Sequence, residues 1–389
     1  MLAGADIVKR LVLFGGIALL GLNLRIASAS VPPVLADLGL SPGAAAALAA
    51  IPAVCFGIAA FSGTAVRARF GEELGLFLAL AVLLAGLLAR AMWVPWGLFP
   101  GTILAAASVA VMNVLMPILV RQRLPTHAGV VTATYLGALT VGSAAAAALT
   151  IPLKSLGGGS VSFALGIWAA PVAIAMIVWV PQLRTSTLVT LRGAARHQSP
   201  RLHTNRRAWE VTLFFGLQSL IFFAVFSWLP TIYRDRGVTA ATAGLLFAVL
   251  VATGIVGNLV MPLVAARLRD QQAPVVAAAV LTAIGLLGIM AAPVATAVVW
   301  VSLLGIGGSG AFSLALLLVV LRSGDSNVAA GLSSMAQGVG YLISACGPII
   351  LATLHSLTGS WTVGLVVLIA LTTIELTVGL RAGRIGVVG

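Results

Sequence analysis

Arg25 is the residue whose type and position most directly suggest chemistry. It lies about fifteen residues into the first apolar run, beyond Lys9 and Arg10. A charge inside hydrocarbon is costly, so we expect its side chain to face a water-filled cavity or a partner. No Asp or Glu lies in the middle of any apolar run, and Glu375 lies near the end of the last one. A guanidinium offers a planar fork of donors, which predicts binding of a carboxylate or a small linear anion.

A structural role for Arg25 is the alternative interpretation. Its guanidinium could bond backbone carbonyls that are left open near Pro32-Pro33, or it could hold a contact between helices. Asn23 lies two residues away, on a different face of the helix. We expect Asn23 to pack or to form an interhelical hydrogen bond.

Uncharged polar side chains in apolar runs are the next candidates. Ser334, Gln337 and Tyr341 share one helical face. A polar group without a partner in hydrocarbon is costly, so each should face the protein interior. Some of them could simply join helices by hydrogen bonds. Besides Arg25, the candidate binding residues are Gln337, Tyr341, Gln218, Tyr135 and Asn113, with Phe222 and Phe312 as apolar walls.

Other chemistries lack their residues. The four histidines, at 127, 197, 203 and 355, fall at loops or helix ends without metal-ligand spacing, and Cys55 and Cys346 lie singly in apolar runs. The glycines of 305–310 have neither a P-loop lysine nor a strand before them. We therefore predict no catalytic residue, no metal, no cofactor and no ATP-driven step.

The elements that hold these residues are apolar helices. Of 389 residues, 60% are hydrophobic and 8% are charged, against roughly a quarter charged in soluble proteins. The mean hydropathy is +1.14. This composition excludes a soluble enzyme, a disordered chain and a disulfide-rich scaffold. Twelve runs approach the length that a membrane helix needs: 10–31, 44–66, 74–92, 96–120, 128–150, 162–181, 208–231, 241–266, 273–292, 296–321, 328–353 and 361–380.

The basic residues indicate the orientation. With the amino terminus inside, 17 of the 22 Lys and Arg residues fall on inner segments. The other five are Arg25, Arg90, Lys154, Arg234 and Arg236. Cytoplasmic loops carry such an excess. The net charge of +13 therefore predicts a multi-pass protein of the inner (plasma) membrane with both termini cytoplasmic. It indicates contact with lipid headgroups rather than with nucleic acid.

The two halves of the sequence repeat each other. Pro32 precedes Gly39-Leu40-Ser41 as Pro230 precedes Gly237-Val238-Thr239, an offset of 198 residues. Arg67-Ala68-Arg69 and Arg267-Leu268-Arg269 follow at an offset of 200. The basic stretch 182–207 separates them. We expect a bundle of six helices over 1–181, a cytoplasmic linker and a second bundle over 208–389, facing each other across a central cavity.

Several motifs resemble the major facilitator superfamily. Gly21-Leu22-Asn23-Leu24-Arg25, Val31-Pro32-Pro33 and Trp228-Leu229-Pro230 are similar to its branch of cyanate and 2-nitroimidazole transporters. The resemblance covers nearly the whole chain and implies that the first, fourth, seventh and tenth helices line the cavity. One departure is that Gly63 is followed by Arg67 without the Asp that commonly helps to latch the bundles.

The resemblance implies a transporter and no enzyme. We expect a monomer that moves a small polar or anionic organic solute, such as a cyanate-like, nitroimidazole-like or carboxylate molecule, by alternating access. Protons are a candidate co-substrate, although the absence of a mid-membrane acid argues against the common carboxylate relay. One alternative is a multidrug or antibiotic exporter of the same fold. The other is a polytopic membrane enzyme or sensor.

Overall fold

The computed structural model describes residues 2–92, 96–124, 128–185, 202–324 and 326–388. Most of the predicted linker, 186–201, lies outside these residues, as do His127 and His197. The described residues are helical, apart from turns and one isolated bridge between Ser323 and Val388. The predicted all-α membrane class is confirmed.

Fourteen α-helices, numbered in chain order, are described. They are α1 (Leu2–Asn23), α2 (Ile26–Ala29), α3 (Pro42–Met92), α4 (Leu98–Arg123), α5 (Ala128–Leu156), α6 (Val161–Gly166), α7 (Ala169–Trp179), α8 (Arg206–Asp235), α9 (Ala240–Ala265), α10 (Gln272–Ala291), α11 (Ala297–Leu321), α12 (Ser326–Ser344), α13 (Cys346–Thr358) and α14 (Trp361–Ala382). Short 3₁₀ helices cover Pro32–Leu38, Val180–Thr185, Leu202–Thr204 and Val294–Thr296.

Twelve stretches of the described residues are long and apolar enough to cross a membrane, by length and composition. They are Val12–Leu38, Pro42–Ala59, Arg69–Met92, Leu98–Met116, Thr134–Leu156, Val161–Leu183, Arg206–Asp235, Ala240–Ala265, Gln272–Ala291, Val294–Leu321, Gly331–Thr358 and Trp361–Ala382. Each overlaps one predicted run, so the twelve predicted spans are confirmed.

Helix α3 joins two predicted spans. It runs from Pro42 to Met92 and breaks its helical geometry at Gly71, where φ is 69°. A residue with a Cβ is disfavoured at positive φ, so glycine permits the break there. The boundary between the second and third spans is therefore a kink and not a separate loop.

Polar residues begin several helices where the sequence leaves the apolar pattern. The Asn205 side chain accepts hydrogen bonds from the N–H groups of Arg207 and Ala208 at the start of α8. Thr239 and Ser360 cap α9 and α14 in the same way. Each cap satisfies backbone donors that the first turn leaves open.

The chain divides into two compact units. The first contains Met1–Leu38 and Phe61–Gly193, and the second contains Gly39–Ala60 and Ala194–Gly389. The boundary between Gly193 and Ala194 falls inside the predicted linker, whose bounds of 182–207 remain a prediction. Packing in the second unit explains why Gly39–Ala60 belongs there, because Ala50 and Ala53 cluster with Phe223 and Ala345. Small side chains allow such close approach between membrane helices.

The two units have equivalent polar pairs near helix ends that the predicted orientation places on the outer side. In the first unit, Lys154 Nζ lies 2.9 Å from Asp37 Oδ2. In the second, His355 Nε2 lies 4.0 Å from Asp235 Oδ2, and Trp361 Nε1 donates to the same oxygen at 2.8 Å. The offsets are 198 residues between the aspartates and 201 between the basic partners.

A second pair of contacts repeats near the other ends of the helices. Arg123 forms an ion pair with Glu73 in the first unit. In the second, Arg322 donates to Gln271 Oε1 and, at 2.8 Å, to Gly383 O. The offsets are 198 residues from Glu73 to Gln271 and 199 from Arg123 to Arg322. The repeat predicted from sequence is thus present as equivalent contacts within each unit.

Arg322 is a buried cation outside the membrane-spanning stretches. Burial and the neighbouring charge of Arg207 lower the pKa of its guanidinium, while Asp270 raises it. Its Nε donates to Ala382 O at 2.9 Å. The carbonyls at the end of α14 are thereby satisfied by a cation, which also complements the helix dipole.

Candidate binding site

The first membrane span is broken at Arg25. Helix α1 ends at Asn23 and α2 begins at Ile26, with Arg25 at φ −128° and ψ −3° between them. Leu24 N donates to Gly21 O at 3.1 Å, and Ala29 N donates to Arg25 O at 2.9 Å. Irregular backbone at membrane depth occurs only where protein or water covers it. The break therefore marks a protected position in the first unit.

Arg25 is half-buried at this break and is engaged in an interaction within the fold. Asn23, two residues before it, is fully buried and donates to Leu19 O at 2.8 Å and to Pro171 O at 3.2 Å. The interhelical hydrogen bond predicted for Asn23 is therefore confirmed. These two bonds connect the residue before the break to α1 and to α7.

Helix α5 packs tightly against α1 on the amino-terminal side of the break. A Cβ at Gly21 would lie 2.4 Å from Tyr135 O, and one at Gly142 would lie 2.1 Å from Leu22 O. Both glycines are thus required for the two backbones to approach so closely. The buried Tyr135 thus packs against Gly21, which lies about one helical turn before Arg25. Two of the predicted binding residues therefore lie on neighbouring segments of the first unit.

Arg90 is a second cation beside the break. The charge pattern predicts an outer position for it, but it is fully buried on α3. Its Nη1 donates to Ala27 O at 2.7 Å and its Nη2 to Ser30 Oγ at 2.8 Å. Both acceptors are uncharged and lie at the end of α2. An arginine inside the run 74–92 was the signal that could have revealed this, because a charge in an apolar run needs a partner.

Asn113 is the third candidate in the first unit. It lies on α4 with its side chain exposed, whereas Met112, Leu115 and Met116 on the same helix are buried. The structure does not group Asn113 with Tyr135 by a side-chain hydrogen bond among the described residues.

Three of the candidates in the second unit, Tyr341, Phe222 and Phe312, belong to an aromatic cluster. We define this cluster as Phe56, Phe215, Phe222, Phe223, Phe226, Phe247, Phe312 and Tyr341. The Tyr341 ring lies 5.1 Å from Phe215 and 5.4 Å from Phe56, between centroids. Phe312 joins through Phe215 at 5.8 Å. Tilted and edge-on pairs of this kind stabilise a rigid apolar surface.

Gln337 precedes Tyr341 by one turn on α12. It is half-buried and donates to Ser333 Oγ at 2.8 Å. Helix α12 ends three residues after Tyr341, because Pro348 supplies no N–H to continue the backbone ladder and α13 begins at Cys346. Tyr341 O then accepts Ala345 N at 3.1 Å and Ser344 Oγ at 2.8 Å. Gln337 and Tyr341 thus lie just before a kink.

Gln218 lies deeper in the second unit than the other candidates. It is almost fully buried on α8, and its Nε2 donates to Phe215 O at 3.0 Å and to Ser219 Oγ at 2.6 Å. Together with Phe222 and Glu375 it lines an internal cavity. Its neighbourhood is therefore different from that of Gln337.

The part of the chain that the structure describes contains no set of metal ligands. No group of three or more His, Cys, Asp or Glu side chains is placed to hold an ion there. The groups available for recognition are guanidinium, amide, phenol and aromatic rings, which suit a small organic solute.

Comparison with known proteins supplies the family. Residues 13–345 match the family model of the Major Facilitator Superfamily. A Bacillus subtilis (strain 168) transporter, YycB, is 35% identical over 377 residues, which cover 96% of this chain and 93% of that protein. The 2-nitroimidazole transporter of Escherichia coli (strain K12) is 32% identical over 382 residues, covering 97% and 96%. The cyanate transport protein CynX of the same organism is 28% identical over 354 residues, covering 89% and 90%.

Solved structures share the fold at low sequence identity. A bacterial homologue of the human lysosomal transporter Spinster, inward-facing and unoccupied, superposes with a TM-score of 0.76 at 13% identity, covering 95% of this chain and 96% of that one. The nucleoside transporter NupG gives a TM-score of 0.73 at 13% identity, covering 96% and 99%. With twelve spans, an internal repeat and a family match over most of its length, the chain belongs to the major facilitator superfamily and is a multi-pass membrane transport protein.

Proposed function

We propose that the protein is a secondary active or facilitated transporter of a small polar or anionic organic solute. Arg25 would supply the positive charge that attracts the solute, and alternating access would move it. The observation that carries this proposal is the position of a guanidinium at a break in the first membrane span. Transporters commonly place their solute sites at such discontinuous helices near the membrane midplane.

The charge balance of the first unit supports an anionic or electron-rich solute. Arg90 lies beside the same break, and its hydrogen-bond acceptors are a carbonyl and a hydroxyl. Arg90 adds a positive charge to the segment that follows Arg25, and in a low-dielectric region a charge acts over several ångströms. A bound anion would interact favourably with this charge.

The relatives suggest what kind of molecule fits. Cyanate is a linear anion, and 2-nitroimidazole is a flat ring with partly negative nitro oxygens. Both present oxygen or nitrogen acceptors in one plane, which is the geometry that a guanidinium fork recognises. We propose that this chain carries a solute of this planar or linear class.

A drug exporter is the second candidate, and the aromatic cluster is the observation that favours it. Rings from Phe56, Phe215, Phe222, Phe223 and Tyr341 adjoin one another in the second unit. Aromatic surfaces bind lipophilic cations by stacking and cation–π contacts. The two candidates differ in the sign of the preferred charge, so transport assays can separate them.

Counterflow in proteoliposomes tests the proposal. We expect labelled cyanate or 2-nitroimidazole to exchange with unlabelled solute through the purified wild-type protein. Arg25→Ala should lower this exchange by about tenfold or more, since a hydrogen bond to a charged group contributes about 1.5–3 kcal/mol. Arg25→Lys keeps the charge without the fork and should lie between the two.

Arg381→Ala is the matched control, because Arg381 is exposed at the end of α14. Exchange by this variant should equal that of the wild type. Equal exchange by Arg25→Ala would remove Arg25 from the mechanism. A preference for bulky lipophilic cations over both small solutes would instead favour the exporter.

A further inference from the structure

Inside the second unit, a small cavity contains a carboxyl group that the proposed solute site does not use. The cavity of about 10 Å³ is lined by Gln218, Phe222, Leu250, Thr282, Gly308 and Glu375, among others. This is room for roughly one water molecule. Glu375 is 1% exposed, and its Oε2 has no hydrogen-bond partner among the described residues.

The hydrogen-bond donors around the cavity are already committed. The Gln218 amide N–H groups bond Phe215 O and Ser219 Oγ, which leaves its Oε1 without a partner among the described residues. The Thr282 hydroxyl donates to Ala278 O at 2.9 Å. The described lining thus presents two buried acceptors, Gln218 Oε1 and Glu375 Oε2, and no spare side-chain donor. A single hydrogen on the carboxyl would satisfy both oxygens, directly or through one water.

No described charge lies in the cavity to neutralise a carboxylate. Helices α9, α10 and α11 carry no titratable residue within their bounds. Those on the other helices packed around this region lie away from the cavity lining: Arg206, Arg207, Glu210, Tyr233, Arg234 and Asp235 on α8, Tyr341 on α12, Cys346 and His355 on α13 and Arg381 on α14. An unpaired carboxylate in such a place is strongly disfavoured.

We infer that Glu375 and Gln218 form a proton-binding site within the second unit, and that the proton bound there drives transport. On loading, a proton from water forms an O–H bond with a Glu375 carboxylate oxygen and removes its charge. On release, that bond breaks and the proton returns to water. The carboxylate left behind would share the cavity with Gln218 Oε1 and with no spare side-chain donor, so the packing of α8 against α14 around the cavity would be stable only in the loaded state. This inference rests on the proposed transport function.

Infrared spectroscopy of the protein in lipid tests the site without any solute. Wild type at neutral pH should show the carbonyl stretch of a protonated carboxylic acid, and Glu375→Gln should lack it. Gln218→Met removes the acceptor and should shift that band to higher frequency while keeping it. Glu210→Gln is the control, since Glu210 pairs with exposed Arg206, and its spectrum should retain the band. Absence of the band in wild type would overturn the site.

Accumulation against a gradient tests the coupling. In proteoliposomes with an imposed pH gradient, wild type and Glu210→Gln should accumulate labelled solute. Glu375→Gln, which mimics the neutral acid, should exchange solute in counterflow but lose gradient-driven accumulation. Accumulation by Glu375→Gln equal to that of wild type would overturn the inference. Should wild type move neither cyanate nor 2-nitroimidazole, the proposed function fails, while the infrared result still decides whether Glu375 holds a proton.

Discussion

At the scale of single residues, Arg90 shows how a buried cation can support a site that it does not occupy. Its two terminal nitrogens bond Ala27 O and Ser30 Oγ at the end of α2. Short helices leave their last carbonyls without intrahelical partners. Arg90 therefore fixes the segment that follows Arg25, and we regard it as a positioning residue.

Ser30→Ala should expose this dependence. The substitution leaves Arg90 Nη2 without its acceptor in a fully buried position, which should lower the free energy of unfolding by about 1–3 kcal/mol. Reversible unfolding in mixed micelles measures the change. Ser155→Ala, whose hydroxyl bonds only Ile151 O at an exposed position, should stay within about 0.5 kcal/mol of wild type. An equally small effect of Ser30→Ala would contradict this role.

At the scale of elements, glycine determines where helices can meet. Gly21 and Gly142 let α1 and α5 touch backbone to backbone beside the break. Other pairs do the same in the second unit, where a Cβ at Gly257 would lie 2.0 Å from Ile306 O. Dispersion between closely packed backbones stabilises membrane helices, because the hydrophobic effect is weak between elements already in lipid.

Gly142→Ala should therefore damage both stability and transport. The added methyl would meet Leu22 O, and overpacking of this kind costs about 1–3 kcal/mol. Displacement of α1 would also move Arg25, so counterflow should fall. Gly137→Ala lies on the same helix with nothing within 4 Å of its added Cβ, and it should behave as wild type. Identical behaviour of the two variants would show that the close approach is not required.

At the scale of the whole molecule, the distribution of charge should determine orientation. The exposed Arg267, Arg269, Arg381 and Arg384 lie at the helix ends that we assign to the cytoplasm. In a chain where both cysteines are replaced by alanine, Val294→Cys should react with an impermeant maleimide on intact cells. Ile385→Cys should react only after the membrane is opened. The reverse pattern would contradict the predicted orientation.

The sequence predicted those features that depend on composition along the chain. Twelve spans follow from hydropathy, since each segment must satisfy its own backbone in lipid. The break at Arg25, the continuity of α3 through Gly71 and the burial of Arg90 depend on how helices rotate against their neighbours. The sequence shows Glu375 as the acid in the last apolar run, but the cavity that it shares with Gln218 depends on the same packing. Hydropathy does not specify that rotation.

The repeated pairs record how this chain could have arisen. Two pairs in the first half have an equivalent about two hundred residues later in the second half. The pair Asp37–Lys154 corresponds to Asp235–His355, and Glu73–Arg123 corresponds to Gln271–Arg322. That is the trace expected of an ancestral six-helix gene that was doubled and fused. The paired positions match in the two halves, while the residue types differ: lysine in one half against histidine in the other, and glutamate against glutamine. A substitution in one half can therefore change the chemistry of that half without a matching change in the other.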